Sequence, residues 1–216
     1  MGTLKTVQTQ KEGPIVQIAC LDFEGVLVPE IWLNLAQNTG IKDLRLTTRD
    51  VENYDELMSH RLKTLSDNGI GFSHLSDVAA SLEPLPGAKE FLVWLREHYQ
   101  VALVSDTFYE LCASLVEQLQ FPMMLCHRLK LKGDTIVGYS LRQPDPKRQV
   151  VCAFQKMAFD VVATGDSYND ISMLRQSNKA SLFRPSDSVR LDHPDLPVAN
   201  NYKELKEFFS HSLSLE

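Results

Sequence analysis

No Cys-x-x-Cys pair occurs among Cys20, Cys112, Cys126 and Cys152. Without that spacing the four read as reduced, mostly buried thiols of a cytoplasmic protein. Long apolar runs are also missing, and none would span a bilayer. The first residues, Met1 to Gly13, are polar and lack the apolar stretch of a signal peptide. Residues 1–14 are expected to be a disordered extension. Positive charge is scarce: 22 Lys and Arg face 28 Asp and Glu, for a net charge of −6. That excludes a general affinity for nucleic acid or acidic membranes, but leaves room for a local basic pocket. The six histidines show no ligand spacing, and no metal is assigned to them. There is no Gly-x-Gly-x-x-Gly or Walker-type loop, so a nucleotide donor is not indicated. Repeats and low-complexity blocks are absent.

What remains is a chain of 216 residues, 44% hydrophobic, enough for one domain or a core domain with an insertion. The run Ile15 to Leu21 is almost continuously apolar, as in a strand buried on both faces. Pro29 opens a helix that Gly40 closes. A second helix is expected from about Thr48–Asp50, with Tyr54, Met58, Leu62 and Leu65 on one face. Asn68–Ser73 reads as a turn and Ser76–Leu82 as a shorter helix. Residues 29–83 thus carry no strand signal. After Pro86-Gly87 strands and helices alternate: strands at Val101–Val104, Met123–Cys126, Val161–Ala163 and Ala180–Phe183, and a hairpin about Gly133-Asp134. Pro146 begins a helix with Val150, Phe154 and Met157 facing inward, and Tyr202–Leu213 forms a C-terminal one. The expected fold is α/β: a Rossmann-like parallel sheet flanked by helices. The core is residues 15–28 and 84–216, and residues 29–83 read as a helical insertion after the first strand.

Ligands of such sheets bind beyond the carboxyl ends of the strands. Asp22, Ser105 and Asp166 stand at three such ends. In Asp22-Phe23-Glu24-Gly25-Val26, two carboxylates one residue apart must be gathered by a loop, which Gly25 permits. A hard cation such as Mg²⁺ would collect their oxygens with a phosphate. Asp22 can then attack phosphorus, and Glu24 can protonate the leaving alcohol and later activate water. Ser105 has a hydroxyl for phosphate oxygens, although alone it equally marks a strand-end turn. In Asp145-Pro146-Lys147-Arg148, Lys147 can neutralise both a phosphate and the Asp22 carboxylate, while Arg148 reads as an exposed basic residue. In Gly165-Asp166-Ser167-Tyr168-Asn169-Asp170, Asp166 is the natural second metal carboxylate. Asp170 can orient metal-bound water or Lys147, and Asn169 can reach a substrate oxygen. The same residues would also serve as a helix cap.

These four segments, in this order, resemble the haloacid dehalogenase superfamily. The signature is an Asp-x-Asp-like loop, a Ser or Thr at the second strand end, a Lys, and a Gly-Asp-x-x-x-Asp loop. The resemblance implies that the helical insertion, residues 29–83, is a small cap. The segments around Cys20–Glu30 and Asp166–Asp170, with Met58 and Arg61 on a cap helix, are similar to phosphoserine phosphatases. Glu24 in place of a second Asp, and Ser105-Asp106-Thr107 in place of Ser-Gly-Gly, resemble the bifunctional phosphoserine phosphatase/homoserine phosphotransferase subfamily. The resemblance implies Mg²⁺ as cofactor, Asp22 as nucleophile and metal ligand, and Glu24 as acid/base with its backbone carbonyl on the metal. Asp166 would complete the metal site. Ser105, Asp106, Lys147 and Asn169 would contact substrate.

Phosphoserine carries an ammonium and a carboxylate besides its phosphate. Glu30 can accept from the ammonium and Arg61 can hold the carboxylate bidentately, roles the resemblance also implies. Read alone, Arg61 fits a surface ion pair with Asp55 or Glu56 as well. Met58 reads as core, and Trp32 and Trp94 as packing residues. The expected activity is cleavage of O-phospho-L-serine through a phospho-Asp22 intermediate, with water or L-homoserine as acceptor, by a cytoplasmic enzyme able to form a homodimer. Three other readings are open at this point: a phosphatase for another small substrate, a mutase or dehalogenase, and a non-catalytic binding protein.

Overall fold

The computed structural model describes residues 16–213 apart from Arg49 and Glu52. The expectation for residues 1–14 lies outside these. Strand β1 (Val16–Leu21) sits between two neighbours, and its last four residues are buried on both faces. Ala19 and Leu21 point into one apolar cluster and Ile18 and Cys20 into another, the period-two alternation of a strand covered on both sides.

Between β1 and the next strand the described chain is helical. It forms α1 (Ile31–Thr39), a 3₁₀ turn at Lys42–Arg45, α2 (Tyr54–Asp67) and α3 (Phe72–Ala80). Gly40 ends α1 at φ 72°, a left-handed conformation that suits glycine. Helix α2 starts later than its periodicity predicts. The side chain of Asp50 folds back to accept from Thr47 N and Oγ, and Asn53 instead caps Asp55 N and Glu56 N. Among the described residues the insertion has no separate core. Leu35, Leu44, Met58, Leu65 and Leu75 share one cluster with Phe91, Leu115 and Phe209.

The remaining elements are α4 (Ala88–Arg96), β2 (Gln100–Phe108), α5 (Tyr109–Gln118), β3 (Met123–Lys132), β4 (Thr135–Ser140), α6 (Pro146–Lys156), β5 (Phe159–Gly165), α7 (Ile171–Gln176), β6 (Lys179–Phe183), α8 (Asp187–Asp192), β7 (Val198–Ala199) and α9 (Tyr202–Ser212). The seven strands lie in the order β4-β3-β2-β1-β5-β6-β7, parallel except for the β3–β4 hairpin. Successive strands leave β1 on opposite sides, so the crevice at its carboxyl end is the topological switch point. Asp22, Ser105 and Asp166 flank that crevice because β1 pairs with both β2 and β5.

Strand β2 and the end of α6 also differ from the sequence expectation. Strand β2 does not stop at Val104; it continues through Ser105 and Asp106 to Phe108, with a shift of register against β3 between Val104 and Phe108. Met157 does not face inward. Helix α6 ends at Lys156, and Met157 is 59% exposed at its C-cap.

Candidate active site

The carboxyl ends of β1, β2 and β5 and the first turn of α6 close around a cleft. Asp22, Glu24, Glu30, Arg61, Ser105, Asp106, Lys147, Asp166 and Asn169, the residues singled out in the sequence, all line it. Arg148 does not. It turns away to Gln176 Oε1 and the exposed Asp145 carboxylate.

The loop after β1 is wound tightly. Leu27 N and Val28 N both donate to the Phe23 carbonyl, and Gly25 N donates to Val28 O. Gly25 has φ 79°, and a Cβ there would lie 2.5 Å from Asp166 Oδ2. Only glycine allows both the turn and the close approach. The same winding turns Glu24 back toward the start of α1, where its Oε1 accepts from Ile31 N at 2.7 Å.

Lys147 is the electrostatic centre. It is 2% exposed, and its Nζ lies 2.7 Å from Asp170 Oδ1, 3.1 Å from Asp22 Oδ1 and 3.5 Å from Asp106 Oδ2. Asp170 is itself fully buried, and its Oδ2 accepts from the backbone N–H of Asp166 and of Ser167. It therefore organises both Lys147 and the loop that carries Asp166. Burial alone would lower the Lys147 pKa, but the Asp170, Asp22 and Asp106 carboxylates hold the ammonium well above its ordinary range. Burial drives the Asp22 carboxyl far above its usual value, and the charges of Asp170, Asp166 and Asp106 reinforce this against the pull of Lys147. Burial also raises Glu24, although Ile31 N–H, Arg61 and Thr107 restrain it. A carboxyl raised in this way suits an acid that must hold a proton and give it up.

The far end of the cleft belongs to the insertion. Arg61 is 5% exposed. Its guanidinium lies over the Trp32 ring at 4.5 Å and donates to Leu46 O at 3.0 Å and weakly to Met58 Sδ. Its Nε is buried with no hydrogen-bond partner among the described residues. Desolvation lowers its pKa, opposed by the charges of Glu24 and Glu30. The surface ion pair with Asp55 or Glu56 does not form. Trp32 both packs and supports the guanidinium.

A model of the haloacid dehalogenase-like hydrolases matches residues 28–175. That is more than half of the chain. The chain belongs to the haloacid dehalogenase-like hydrolase family. It is similar to phosphoserine phosphatase ThrH of Pseudomonas aeruginosa, with 49% identity over 205 residues, 93% of this chain and 100% of that protein. It is likewise 49% identical to a phosphoserine phosphatase of Pseudomonas syringae pv. tomato, over 90% of this chain and 82% of that one. A solved structure described as a phospho-aspartyl intermediate analogue of phosphoserine phosphatase shares the fold at a TM-score of 0.70 and 20% identity, covering 91% of this chain and 99% of that one.

Haloacid dehalogenase-like hydrolases with an acidic loop at this position invite a cation, and the residues here fit one. Asp22, Asp166 and Asp170 bring carboxylate oxygens within 4.8 Å of one another. The donors are hard oxygens, suited to Mg²⁺. The carboxylates of Asp22, Asp106 and Asp170 around Lys147 also exceed its single charge, which adds to the burial that drives Asp22 upward.

Several residues of the site escape the sequence patterns. Thr47, Thr48, Tyr54 and Ser167 line the cleft. Tyr54 OH donates to the Asp106 carbonyl at 2.8 Å, and Thr48 Oγ donates to Asn169 Oδ1 at 3.3 Å, so both tie the insertion to the core. His127 lies behind Asp106, its Nε2 at 3.2 Å from Oδ1. Hydroxyls and one histidine in unrelated stretches give no local signal; only the fold brings them together.

Proposed function

We propose that the protein is an Mg²⁺-dependent phosphoserine phosphatase that works through a phospho-Asp22 intermediate and can also pass the phosphoryl group to homoserine. The observation that carries this is the pairing of two unlike ends in one cleft. A buried carboxylate stands 3.1 Å from a buried lysine at one end, and a buried arginine with an unused Nε–H stands at the other. Phosphoserine presents a phosphate and a carboxylate in matching order. The relatives named phosphoserine phosphatase support the substrate, and the ThrH relative supports the transfer reading.

Asp22 Oδ would attack phosphorus, forming the Oδ–P bond as the P–O bond to the serine side chain breaks. The Glu24 carboxyl would give its proton to the departing alkoxide. Glu24, now ionised, would take a proton from water or from the homoserine hydroxyl, whose oxygen then attacks phosphorus and breaks the bond to Asp22. Mg²⁺, held by Asp22, Asp166 and the Glu24 backbone carbonyl, would supply positive charge to the phosphoryl oxygens. Lys147, Ser105 and Asn169 would grip those oxygens, with Asp106 beside them. Arg61 and Glu30 would fix the carboxylate and the ammonium. Helices α1–α3 would act as the cap that excludes bulk water over the reacting atoms.

Incubation with Mg²⁺ and phosphoserine, with and without homoserine, followed by phosphorus NMR, tests this reading. Inorganic phosphate alone, and a second resonance from phosphohomoserine when homoserine is added, are expected. Neither product forming would refute the function. Phosphate without phosphohomoserine would leave a phosphatase and remove the transfer.

A further inference from the structure

Asp106 is an anion placed beside a site that must bind an anion, so something must hold it there and something must gain from it. The bulge in β2 sets Asp106 between the cleft and strand β3, with a side chain 17% exposed. Its two oxygens face different partners. Oδ2 accepts from Asn169 Nδ2 at 2.6 Å and lies 3.5 Å from Lys147 Nζ. Oδ1 faces His127 Nε2 at 3.2 Å.

His127 is 1% exposed and sits on β3 opposite Phe108. Its other ring nitrogen, Nδ1, lies 3.2 Å from the backbone N–H of Arg142, and a backbone N–H can only donate. Nδ1 is therefore the unprotonated nitrogen, and Nε2 carries the hydrogen that Asp106 Oδ1 accepts. An edge contact with Tyr54 and a tilted one with Phe108 flank the ring. The far side of the chain of bonds is equally determined. The Asn169 carbonyl oxygen accepts from Thr48 Oγ and Ser167 Oγ, so its amide nitrogen must be the end that meets Asp106.

We propose that His127 is a positioning residue for phosphoryl transfer: by holding Asp106, it aims the remaining amide hydrogen of Asn169 and the ammonium of Lys147 at the phosphoryl oxygens. His127 touches no substrate in this account. It deepens the phosphatase reading and rests on it for the chemistry, although the bond geometry stands independently. Without the Nε2–H donor, Asp106 would be free to turn toward Lys147 and draw both donors away from the phosphate.

The test compares His127→Leu, which removes the donor, with His127→Gln, whose amide nitrogen can reproduce Nε2–H. Turnover is measured with phosphoserine and with p-nitrophenyl phosphate, which lacks the amino-acid moiety, so a wrong substrate assignment does not decide the result. For His127→Leu, kcat should fall by about 10- to 100-fold, in the range found for outer partners of site ligands. KM should change little, and His127→Gln should recover most of the loss. In an Asp106→Asn background the His127→Leu change should have almost no further effect. Independently of turnover, nitrogen NMR of the wild type should show His127 as the neutral Nε2–H tautomer, with a slowly exchanging proton that is shifted by Asp106→Asn. Full kcat in His127→Leu, losses that multiply with Asp106→Asn, failure of His127→Gln to rescue, or an Nδ1–H tautomer would each overturn the proposal. Equal folded fractions are checked by thermal melts. A lower melting temperature with unchanged kcat per folded enzyme would assign His127 to the core alone.

Discussion

At the end of the cleft built from strand termini, one lysine is shared by three carboxylates, and Asp170 is bonded through both of its oxygens. At the end built from the insertion, one arginine rests on an aromatic face, a sulfur and a single carbonyl, and one of its donors is left over. The first end has an excess of negative charge in a pre-formed frame, which the proposed cation would offset. The second has a desolvated cation without a bonded carboxylate among the described residues, which the proposed substrate carboxylate would pair. A buried polar group left without its partner costs on the order of 1–3 kcal/mol, and a charged group more. A ligand that supplies the missing partner recovers part of that cost. The contrast separates chemistry from selection. Changes at the strand ends should affect the rate for every phosphomonoester, and changes at the insertion should affect only substrates with a carboxylate.

The largest effect should come from Asp22→Asn. Turnover should fall on the order of 10⁴-fold or more with both phosphoserine and p-nitrophenyl phosphate, as for other nucleophiles. The metal-free protein should become more stable at the same time. Asp22 is raised above its unfolded value of 3.8, so its contribution to stability is full below that pH and is lost as pH rises through the folded value. At neutral pH its ionised form is a cost, and the amide should raise the melting temperature by about 2–4 °C. A fall instead would mean that the bond to Lys147 outweighs the crowding of carboxylates.

Asp170→Asn should do the opposite to stability. It leaves Lys147 with less compensation and weakens the two N–H bonds of the Asp166 loop. Breaking a buried pair costs about 3–5 kcal/mol, readable by urea unfolding. Arg61→Lys should lower kcat/KM for phosphoserine by about 10- to 100-fold, since lysine cannot grip a carboxylate bidentately. The rate with p-nitrophenyl phosphate should stay within about threefold, because that substrate uses no carboxylate contact. Equal losses on both substrates would erase the distinction between the two ends.

Acid sharpens the comparison further. Asp106 is pushed up by burial but brought down to about 2 by Lys147 and by its bonds to His127 and Asn169. A carboxyl depressed on folding contributes stability that is full above about 3.8 and lost as pH falls through about 2. The wild type should therefore lose about 2 kcal/mol in that window, and Asp106→Asn should lose correspondingly less. Arg148→Ala should have the smallest effect, within about 0.5 kcal/mol in stability and none in KM, because the residue lies outside the cleft.

Much of this cleft was legible in the sequence. The ends of β1 and β5 are local features, and the pairing of β1 with β2 and β5 places Asp22, Ser105 and Asp166 together, although Ser105 lies inside β2 and not at its end. Lys147 was legible through Pro146 at the first helical position. Other features depend on partners distant in sequence. Helix α3 begins at Phe72, four residues before its expected start, because Asp134 in the β3–β4 turn accepts from Ser73 N and its carbonyl from Phe72 N. The sequence allows Asp170 to orient metal-bound water or Lys147, and it is the fold that brings its Oδ1 to 2.7 Å from Lys147 Nζ. His127 gave no signal, since its site partner Asp106 lies across a bulge that neither strand shows by itself.

The central claim is that Asp22 carries the phosphoryl group. Rapid quenching of the Mg²⁺-loaded enzyme with radiolabelled phosphoserine, followed by digestion and peptide mapping, tests it directly. Acid-stable, hydroxylamine-labile label is expected on the peptide containing Asp22, formed before phosphate is released and absent from Asp22→Asn. Phosphate release at the normal rate with no label on that peptide, or full turnover by Asp22→Asn, would contradict it.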